Sequence, residues 1–171
     1  MNITKYTLLL LVSLFSVSPF LTGKKKPNIV VFISDDLGRW DTSIHGSEDA
    51  RTPTMERLAA EGMTFDDAYV TSPSCCPSRF SLLTGLMPAR HGAHPNHSKV
   101  KTGTKFLPPI LKKMGYHIAS FGKIAHGNKK FEGLDFNEPK RTDMCVEVEK
   151  YFKNNKIEGP ICLLVGDRRP H

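Results

Sequence analysis

Two runs of consecutive apolar residues constrain the fold of this chain more than any other feature of its sequence. Residues 29–33 read IVVFI after a Pro-Asn pair, and residues 160–165 read PICLLV. The first run is rich in β-branched side chains, and neither run alternates with polar residues, which is typical of strands buried on both faces of a parallel sheet. We therefore predict a strand at each run, in a sheet covered by helices.

Helix signals separate the predicted strands. Thr52-Pro53 supplies an N-cap and a first-turn proline, and Gly62 ends the segment that follows; Pro77 likewise predicts a helix over 78–84 that Gly85 closes. The other predicted elements are a short strand at 63–69, a helix at 108–114, a strand at 117–121, and a helix capped by Thr142 with Cys145, Val148, Tyr151 and Phe152 on its apolar face. The alternation predicts an α/β fold with a mainly parallel sheet flanked by helices.

The charge of the chain is informative but does not by itself select a partner. The 171 residues carry a formal net charge of +7, partly from the run KKK at 24–26 and otherwise from scattered residues. Such a pattern fits an anionic substrate at least as well as nucleic acid, and a solvated basic surface is the ordinary explanation.

The first 23 residues predict a secretory signal peptide. Residues 1–23 contain a lysine, then an apolar stretch over 8–17, then small and turn-forming residues, and that stretch is too short for a comfortable membrane span. An uncleaved anchor is the alternative. Export to a secreted, periplasmic or lysosomal location follows from this prediction. Asn96-His97-Ser98 is then a glycosylation sequon, which has meaning only in a eukaryote.

The cysteines do not form a disulfide framework. The chain has four, at positions 75, 76, 145 and 162, and two neighbouring cysteines bond to each other only with strain. Cys145 and Cys162 are predicted as small apolar residues of the core. The adjacent pair, Cys75 and Cys76, needs another explanation.

Polar side chains follow three of the predicted strands. Asp35-Asp36 comes after the first strand, Lys123 after the strand at 117–121, and 167–171 after the last strand, while Cys75 to Arg79 begins a helix. Ligands of open α/β sheets gather at the carboxyl ends of the strands. Carboxylates together with a lysine, an arginine and histidines suit a hard cation bound with an anion. Taken singly, each of these groups has a simpler explanation as a turn or surface residue.

The segment CCPSRFSLLTG at 75–85 resembles the sulfatase signature, in which Cys-x-Pro-Ser-Arg precedes an apolar pair, Thr and Gly. Three further segments resemble that family: 28–36, its opening strand; 122–126, GKIAH; and 169–171, RPH. The resemblance implies the alkaline-phosphatase-like sulfatase fold, of which 24–171 would be the amino-terminal part. The three-residue step from Lys123 to His126 is similar to iduronate-2-sulfatase and its bacterial relatives.

The resemblance also implies a modified nucleophile and a metal. In sulfatases the cysteine at the position of Cys75 is oxidised by a maturation enzyme to formylglycine, an aldehyde that is hydrated in the resting enzyme. Calcium would be held by Asp35, Asp36 and the side chain at 75. Sulfated carbohydrate is the implied substrate, and the resemblance implies neither nucleic acid nor a stable membrane span.

The same resemblance assigns roles to four basic residues. Arg79 would stabilise the hydrate and the metal ligands, Lys123 would bind a sulfate oxygen, and His126 would assist the nucleophile. His171 would bind sulfate or serve the leaving group.

The sequence departs from the family pattern in two ways. Family members carry a downstream Asp-Asn pair for calcium and a further lysine, whereas this chain has no adjacent Asp-Asn and ends at His171. We therefore expect a truncated sulfatase portion that binds calcium poorly and is weakly active alone. A non-catalytic protein that binds sulfated glycans is one alternative. The other is a phosphohydrolase of the same superfamily, against which Cys75 argues, because that class uses serine or threonine.

Overall fold

A four-stranded parallel sheet organises the chain in a computed structural model that describes residues 25–125, 132–139 and 143–170. The strand order is β1-β4-β2-β3. The strands are β1 (Ile29–Asp35), β2 (His117–Gly122), β3 (Phe136–Glu138) and β4 (Ile161–Pro170). The helices are α1 (Pro53–Glu61), α2 (Cys75–Thr84), α3 (Pro88–His91), α4 (Leu107–Lys113) and α5 (Met144–Asn154), with single 3₁₀ turns at Arg39–Asp41 and Ser43–His45. This architecture confirms the predicted fold class.

β4 occupies the centre of the sheet because it pairs in parallel with both β1 and β2. Cys162 is opposite Ile29 on one side and opposite Ile118 on the other. The residues of β4 from Ile161 to Gly166 are all buried, as the continuous apolar run predicts.

Two apolar layers cover the two faces of the sheet. One layer joins α2 and α4 to the sheet through Phe80, Leu83, Leu111, Ile118 and Leu164. The other packs α5 against the opposite face through Phe121, Met144, Tyr151, Leu163 and Val165. Neighbouring residues of one strand, such as Leu163 and Leu164, point to opposite layers because side chains alternate along a strand.

The expectation that β1 is buried on both faces is wrong for the described part of the chain. Ile29, Val31 and Ile33 pack against the α2 layer, but Val30 is 63% and Phe32 58% exposed. β1 is an edge strand of the described sheet, and the layer formed with α5 covers the second face of the sheet over β2, β3 and β4 but includes no residue of β1. Two large apolar side chains therefore lie on the surface.

The predicted helices α1 and α4 and both long strands are confirmed to within a few residues, but five details differ. No strand forms at 63–69, where Met63, Phe65 and Tyr69 are all more than 70% exposed. α2 begins at Cys75 rather than Ser78. Residues 167–170 belong to β4 instead of following it.

The last two differences concern α5. Its N-cap is Asp143, whose Oδ1 accepts hydrogen bonds from the backbone N–H groups of Cys145 (2.9 Å) and Val146 (3.4 Å), whereas Thr142 lies outside the described residues. Cys145 is exposed and not a core residue; Cys162 is fully buried, as predicted.

The N-terminal prediction, a signal peptide at 1–23, lies outside the described residues. Within the described ranges, none of the helices has the length and apolar character needed to cross a bilayer.

Candidate functional site

The carboxyl ends of β1 and β2 bring a buried ion cluster together with one residue of α2. Asp35 ends β1, Lys123 follows β2, and Arg79 lies one turn into α2. Arg79 Nη2 donates to Asp35 Oδ1 at 2.8 Å, and Lys123 Nζ donates to Asp35 Oδ2. The three side chains are only 2%, 5% and 8% exposed for Asp35, Arg79 and Lys123. Two of the predicted site residues, separated from Asp35 by 44 and 88 positions, are thus in direct contact with it.

The protonation state of Asp35 is set by its two cationic neighbours. Burial raises the pKa of this carboxyl, but the hydrogen bonds and charges of Lys123 and Arg79 outweigh burial and hold the pKa below its ordinary value. The cluster therefore contains one carboxylate and two cations. Its excess positive charge suits an anion at the same edge of the sheet.

Close backbone packing fixes Lys123 at this position. Gly122 has φ 69°, a left-handed conformation that glycine adopts without strain. A Cβ at Gly166 on β4 would overlap the carbonyl group of Lys123. The Lys123 N–H donates to Gly166 O at 2.9 Å, and the Lys123 carbonyl accepts from Arg79 Nη1. The two glycines thus let the strand ends approach closely enough to orient both cations.

Cys75 lies at the first residue of α2, beside a cavity of about 380 Å³. The cavity is lined by the end of β1 and the loop 36–38 after it, by residues of the segment 70–74 before α2, and by the start of α2; the polar lining residues include Asp35, Asp36, Cys75, Ser78 and Arg79. Cys75 is half-buried at this opening, whereas its neighbour Cys76 is fully buried, and neither forms a disulfide. The positive end of the helix dipole lies at the same place. Only the first cysteine of the pair therefore faces a space that a substrate could enter.

Asp36 joins the cavity wall through an uncommon backbone conformation. Its φ is 60°, in the left-handed region that aspartate and asparagine tolerate better than most other residues. The sequence predicted this residue for the site, and the structure places it on the same cavity as Cys75.

The donor set at this edge has the right chemistry for calcium but too few ligands. Calcium takes six to eight oxygens, chiefly from carboxylates, carbonyls and water. Asp35 and Asp36 supply carboxylates, yet both oxygens of Asp35 already accept hydrogen bonds from Arg79 and Lys123. Among residues 25–125, 132–139 and 143–170, no group of three or more His, Cys, Asp or Glu side chains could hold a metal. These residues alone do not complete a calcium site.

Two predicted site residues, His126 and His171, lie outside the described residues. The end of β4, which leads to His171, carries an ion pair. Asp167 Oδ2 accepts from Arg169 Nη2 at 2.7 Å, and the hydrogen bond from Arg169 lowers the pKa of Asp167 despite partial burial. Arg169 itself is largely exposed.

Sequence reasoning missed His91, a fully buried histidine that braces α2. Its Nδ1 accepts the backbone N–H of Ala93 at 3.1 Å, so Nε2 carries the proton of the neutral ring. Nε2 lies 3.2 Å from Ser81 Oγ and 3.3 Å from the carbonyl of Pro77. No spacing or motif in the sequence distinguishes this histidine from the exposed ones nearby.

Comparison with known proteins decides the family. The family model described as Sulfatase matches residues 27–164. The chain belongs to the sulfatase family. An N-acetylgalactosamine-6-O-sulfatase of Bacteroides thetaiotaomicron is 40% identical over 120 residues, which cover 67% of this chain and 24% of that protein. An ulvan-active sulfatase of Formosa agariphila is 28% identical over 155 residues, which cover 86% of this chain and 31% of that protein. The chain thus spans about a quarter to a third of these curated relatives.

Solved structures support the same assignment. One protein, solved in complex with its substrate D-glucosamine-2-N,6-O-disulfate, aligns with a TM-score of 0.76 and 26% identity over 86% of this chain and 35% of that one. A phosphonate monoester hydrolase of Agrobacterium radiobacter aligns with a TM-score of 0.70 and 18% identity, over 85% of this chain and 41% of that one, which shows a shared fold alone. The fold therefore does not separate sulfatase from phosphohydrolase chemistry.

Proposed function

We propose that the protein to which this chain belongs hydrolyses sulfate esters of a sulfated sugar. The observation that carries the proposal is the position of Cys75, at the mouth of a cavity that also contains Arg79 and Asp35, within a sulfatase signature. Membership of the sulfatase family and relatives named for sulfated sugars support it. The phosphohydrolase alternative lacks the serine or threonine that its chemistry uses at position 75.

The nucleophile in this proposal is formylglycine, formed from Cys75 by a maturation enzyme. As its hydrate it would supply two hydroxyl groups on one carbon. One would attack sulfur as the S–O bond to the sugar breaks and the sugar leaves as an alcohol. The second would then lose its proton as the bond from carbon to the sulfate oxygen breaks, which re-forms the aldehyde and releases sulfate. Cys75 suits this role because it is accessible at the cavity, whereas Cys76 is buried under the adjoining loop.

The cationic groups of the site would neutralise the sulfate. A sulfate ester is already anionic, so attack on sulfur needs its oxygens to be neutralised. Lys123 and Arg79 are oriented by Asp35, and the start of α2 adds partial positive charge. Removal of one such contact commonly slows a reaction about 10²-fold. His126 and His171 keep their proposed roles at the nucleophile and the leaving group.

Calcium is the proposed cation, held by Asp35, Asp36 and the side chain at 75. It would polarise a sulfate oxygen and the nucleophile. Because Asp35 is already neutralised by two cations, this chain alone should gain less than about 0.5 kcal/mol of unfolding free energy from millimolar calcium relative to chelator. A larger gain would mean that the described ligands suffice.

A glycosaminoglycan is the proposed substrate class. The step from Lys123 to His126 favours iduronate 2-sulfate, whereas the relative with 40% identity is named for N-acetylgalactosamine 6-sulfate. Release of sulfate by the matured protein from a 6-sulfated galactosamine and from a 2-sulfated iduronate, compared at equal concentration, separates the two. Export through the signal peptide at 1–23 remains part of the proposal.

Peptide mass spectrometry across residues 71–79, after co-expression with a maturation enzyme, tests the nucleophile. We expect the aldehyde at Cys75 and an unchanged Cys76. Cys75→Ala should abolish sulfate release by the matured protein, and Cys76→Ala, the matched control, should retain most of it. Unmodified thiol at both positions, or equal losses in both variants, would contradict the proposal.

A binding function without catalysis is the second candidate, favoured by the incomplete set of metal ligands in the described chain. It predicts salt-sensitive binding of chondroitin sulfate that Cys75→Ala leaves intact, with no sulfate released.

A further inference from the structure

The loop at 95–98 crosses the start of α2 and contacts both cysteines. Cys76 Sγ lies 3.5 Å from the carbonyl oxygen of Ser98, and Cys75 Sγ lies 3.7 Å from Asn96 Oδ1. Neither family signature nor spacing assigned this loop a part in the site. It is also where the glycosylation sequon lies.

Asn96 is the residue that ties the loop to the nucleophile position. Its Oδ1 accepts the backbone N–H of Cys76 at 3.3 Å and that of His97 at 3.1 Å. Backbone N–H groups only donate, so the carbonyl oxygen of this amide, rather than its nitrogen, must face them. The same oxygen is therefore the acceptor presented to the Cys75 thiol. The amide thus satisfies one of the otherwise unpaired N–H groups of the first helical turn.

The conformation of the loop holds Asn96 in this orientation. His97 has φ 62°, in the left-handed region that costs a non-glycine residue free energy. Ser98 Oγ donates to the carbonyl oxygen of Pro95 at 2.6 Å, which closes the turn. An exposed loop that adopts an uncommon backbone conformation and directs one amide at the helix start is typical of a positioned group.

We propose that Asn96 is a positioning residue for the side chain at position 75. Its Oδ1 holds the Cys75 thiol toward the loop while it caps the first turn of α2. In the matured protein, one hydroxyl of the hydrate at 75 would donate to Oδ1 where the thiol does now, which directs the other hydroxyl away from the loop. This last step rests on the proposed function; the positioning of Cys75 does not.

The test uses the full chain before maturation, with Cys145→Ser to remove the exposed thiol. Alkylation of Cys75 by iodoacetamide is timed by peptide mass spectrometry in the parent and in Asn96→Ala, Asn96→Asp and Asn154→Ala. Asn154 is an exposed asparagine at the end of α5, on the opposite face of the sheet, and is the matched control.

Only one of the two Asn96 variants should accelerate alkylation. Alanine removes the hydrogen bond that holds the Cys75 side chain against the loop, so alkylation should accelerate about threefold, in keeping with the loss of one modest hydrogen bond. Aspartate keeps an oxygen acceptor at the same position, so its alkylation should not accelerate. Asn154→Ala should match the parent. No acceleration in Asn96→Ala, or an equal acceleration in Asn96→Asp, would overturn the proposal.

Hydrogen exchange distinguishes positioning from a general loss of structure. Asn96→Ala should accelerate exchange of the Cys76 amide, while Asn96→Asp should leave it protected. The Phe80 amide, further into α2, should be unchanged in both. Faster exchange along all of α2 would show that Asn96 only stabilises the helix. Sulfate release by the matured variants is measured separately, so failure of the sulfatase proposal leaves these results interpretable.

Discussion

Replacement of Asp35 by asparagine removes the carboxylate that neutralises Arg79 and Lys123. The substitution keeps the shape of the side chain and one oxygen acceptor, but its NH₂ group would face one of the two cations that now donate to Asp35. The two cations would remain at 5% and 8% exposure without the counter-charge that the structure provides. The perturbation therefore concerns charge inside the protein and not packing.

The expected loss follows from this burial. Removal of one partner from a buried ion pair costs about 3–5 kcal/mol, because the remaining charge is left uncompensated. Asp66→Asn is the matched control: Asp66 is 71% exposed and lies 3.7 Å from Arg39, and such surface pairs contribute about 0–1 kcal/mol. Against a typical stability of about 5–15 kcal/mol, only the first change should be severe.

Urea denaturation of the two variants and the parent, in chelator so that calcium does not contribute, measures both losses. We expect the midpoint of Asp35→Asn to fall far below that of Asp66→Asn, with the slope m unchanged. A loss in Asp35→Asn no greater than in the control would refute the view that Asp35 compensates two buried cations.

Three other changes probe different parts of the fold. Burial raises the pKa of the Asp135 carboxyl, but the hydrogen bond from Lys112 and the other partners of Asp135 outweigh burial and lower that pKa below 3.8. The ionised carboxylate therefore stabilises the fold above pH 3.8, and this stabilisation is lost as the pH falls further. Acid denaturation should accordingly be less steep in Asp135→Asn. Gly166→Ala should destabilise the protein more than Gly46→Ala, because a Cβ at Gly166 would overlap the Lys123 backbone, whereas one at Gly46 meets open space. Gly46→Ala should cost only about 1 kcal/mol, for the positive φ at that position. Thermal denaturation compares the two variants. Phe32→Lys, on the exposed face of β1, should reduce self-association of the chain, as measured by light scattering. The free energy of unfolding should change by no more than about 0.5 kcal/mol, because Phe32 is largely exposed.

Local signals in the sequence were enough to predict much of the fold. The run at 161–165 is buried because it is central in the sheet, and the glycine after α2 adopts the left-handed φ of 67° that ends a helix. Sequence motifs point to four site residues that the structure brings to one edge of the sheet: Asp35, Cys75, Arg79 and Lys123.

The remaining features depend on tertiary contacts that no local pattern encodes. The sequence predicts a short strand at 63–69, but a strand needs a neighbouring strand, and the described sheet offers none there. The sequence could not indicate that Asp35 accepts from both Arg79 and Lys123, because residues 44 and 88 positions apart meet only through the order of the strands. Asn96 resembled an ordinary loop residue for the same reason.

The order of synthesis limits when β1 can pair with β4. The hydrogen bond from the Ile161 N–H to Asn28 Oδ1 joins residues 133 positions apart. β1 therefore cannot pair with β4 until most of the chain has been synthesised. Cys75 is translated 86 residues before β4 begins. At the ribosome's pace of about 5–20 residues per second, the segment around Cys75 spends roughly 4 to 17 s in a nascent chain in which β4 has not yet been made. A maturation enzyme that acts on an extended chain would find its substrate in that interval, before Cys75 comes into contact with Asn96.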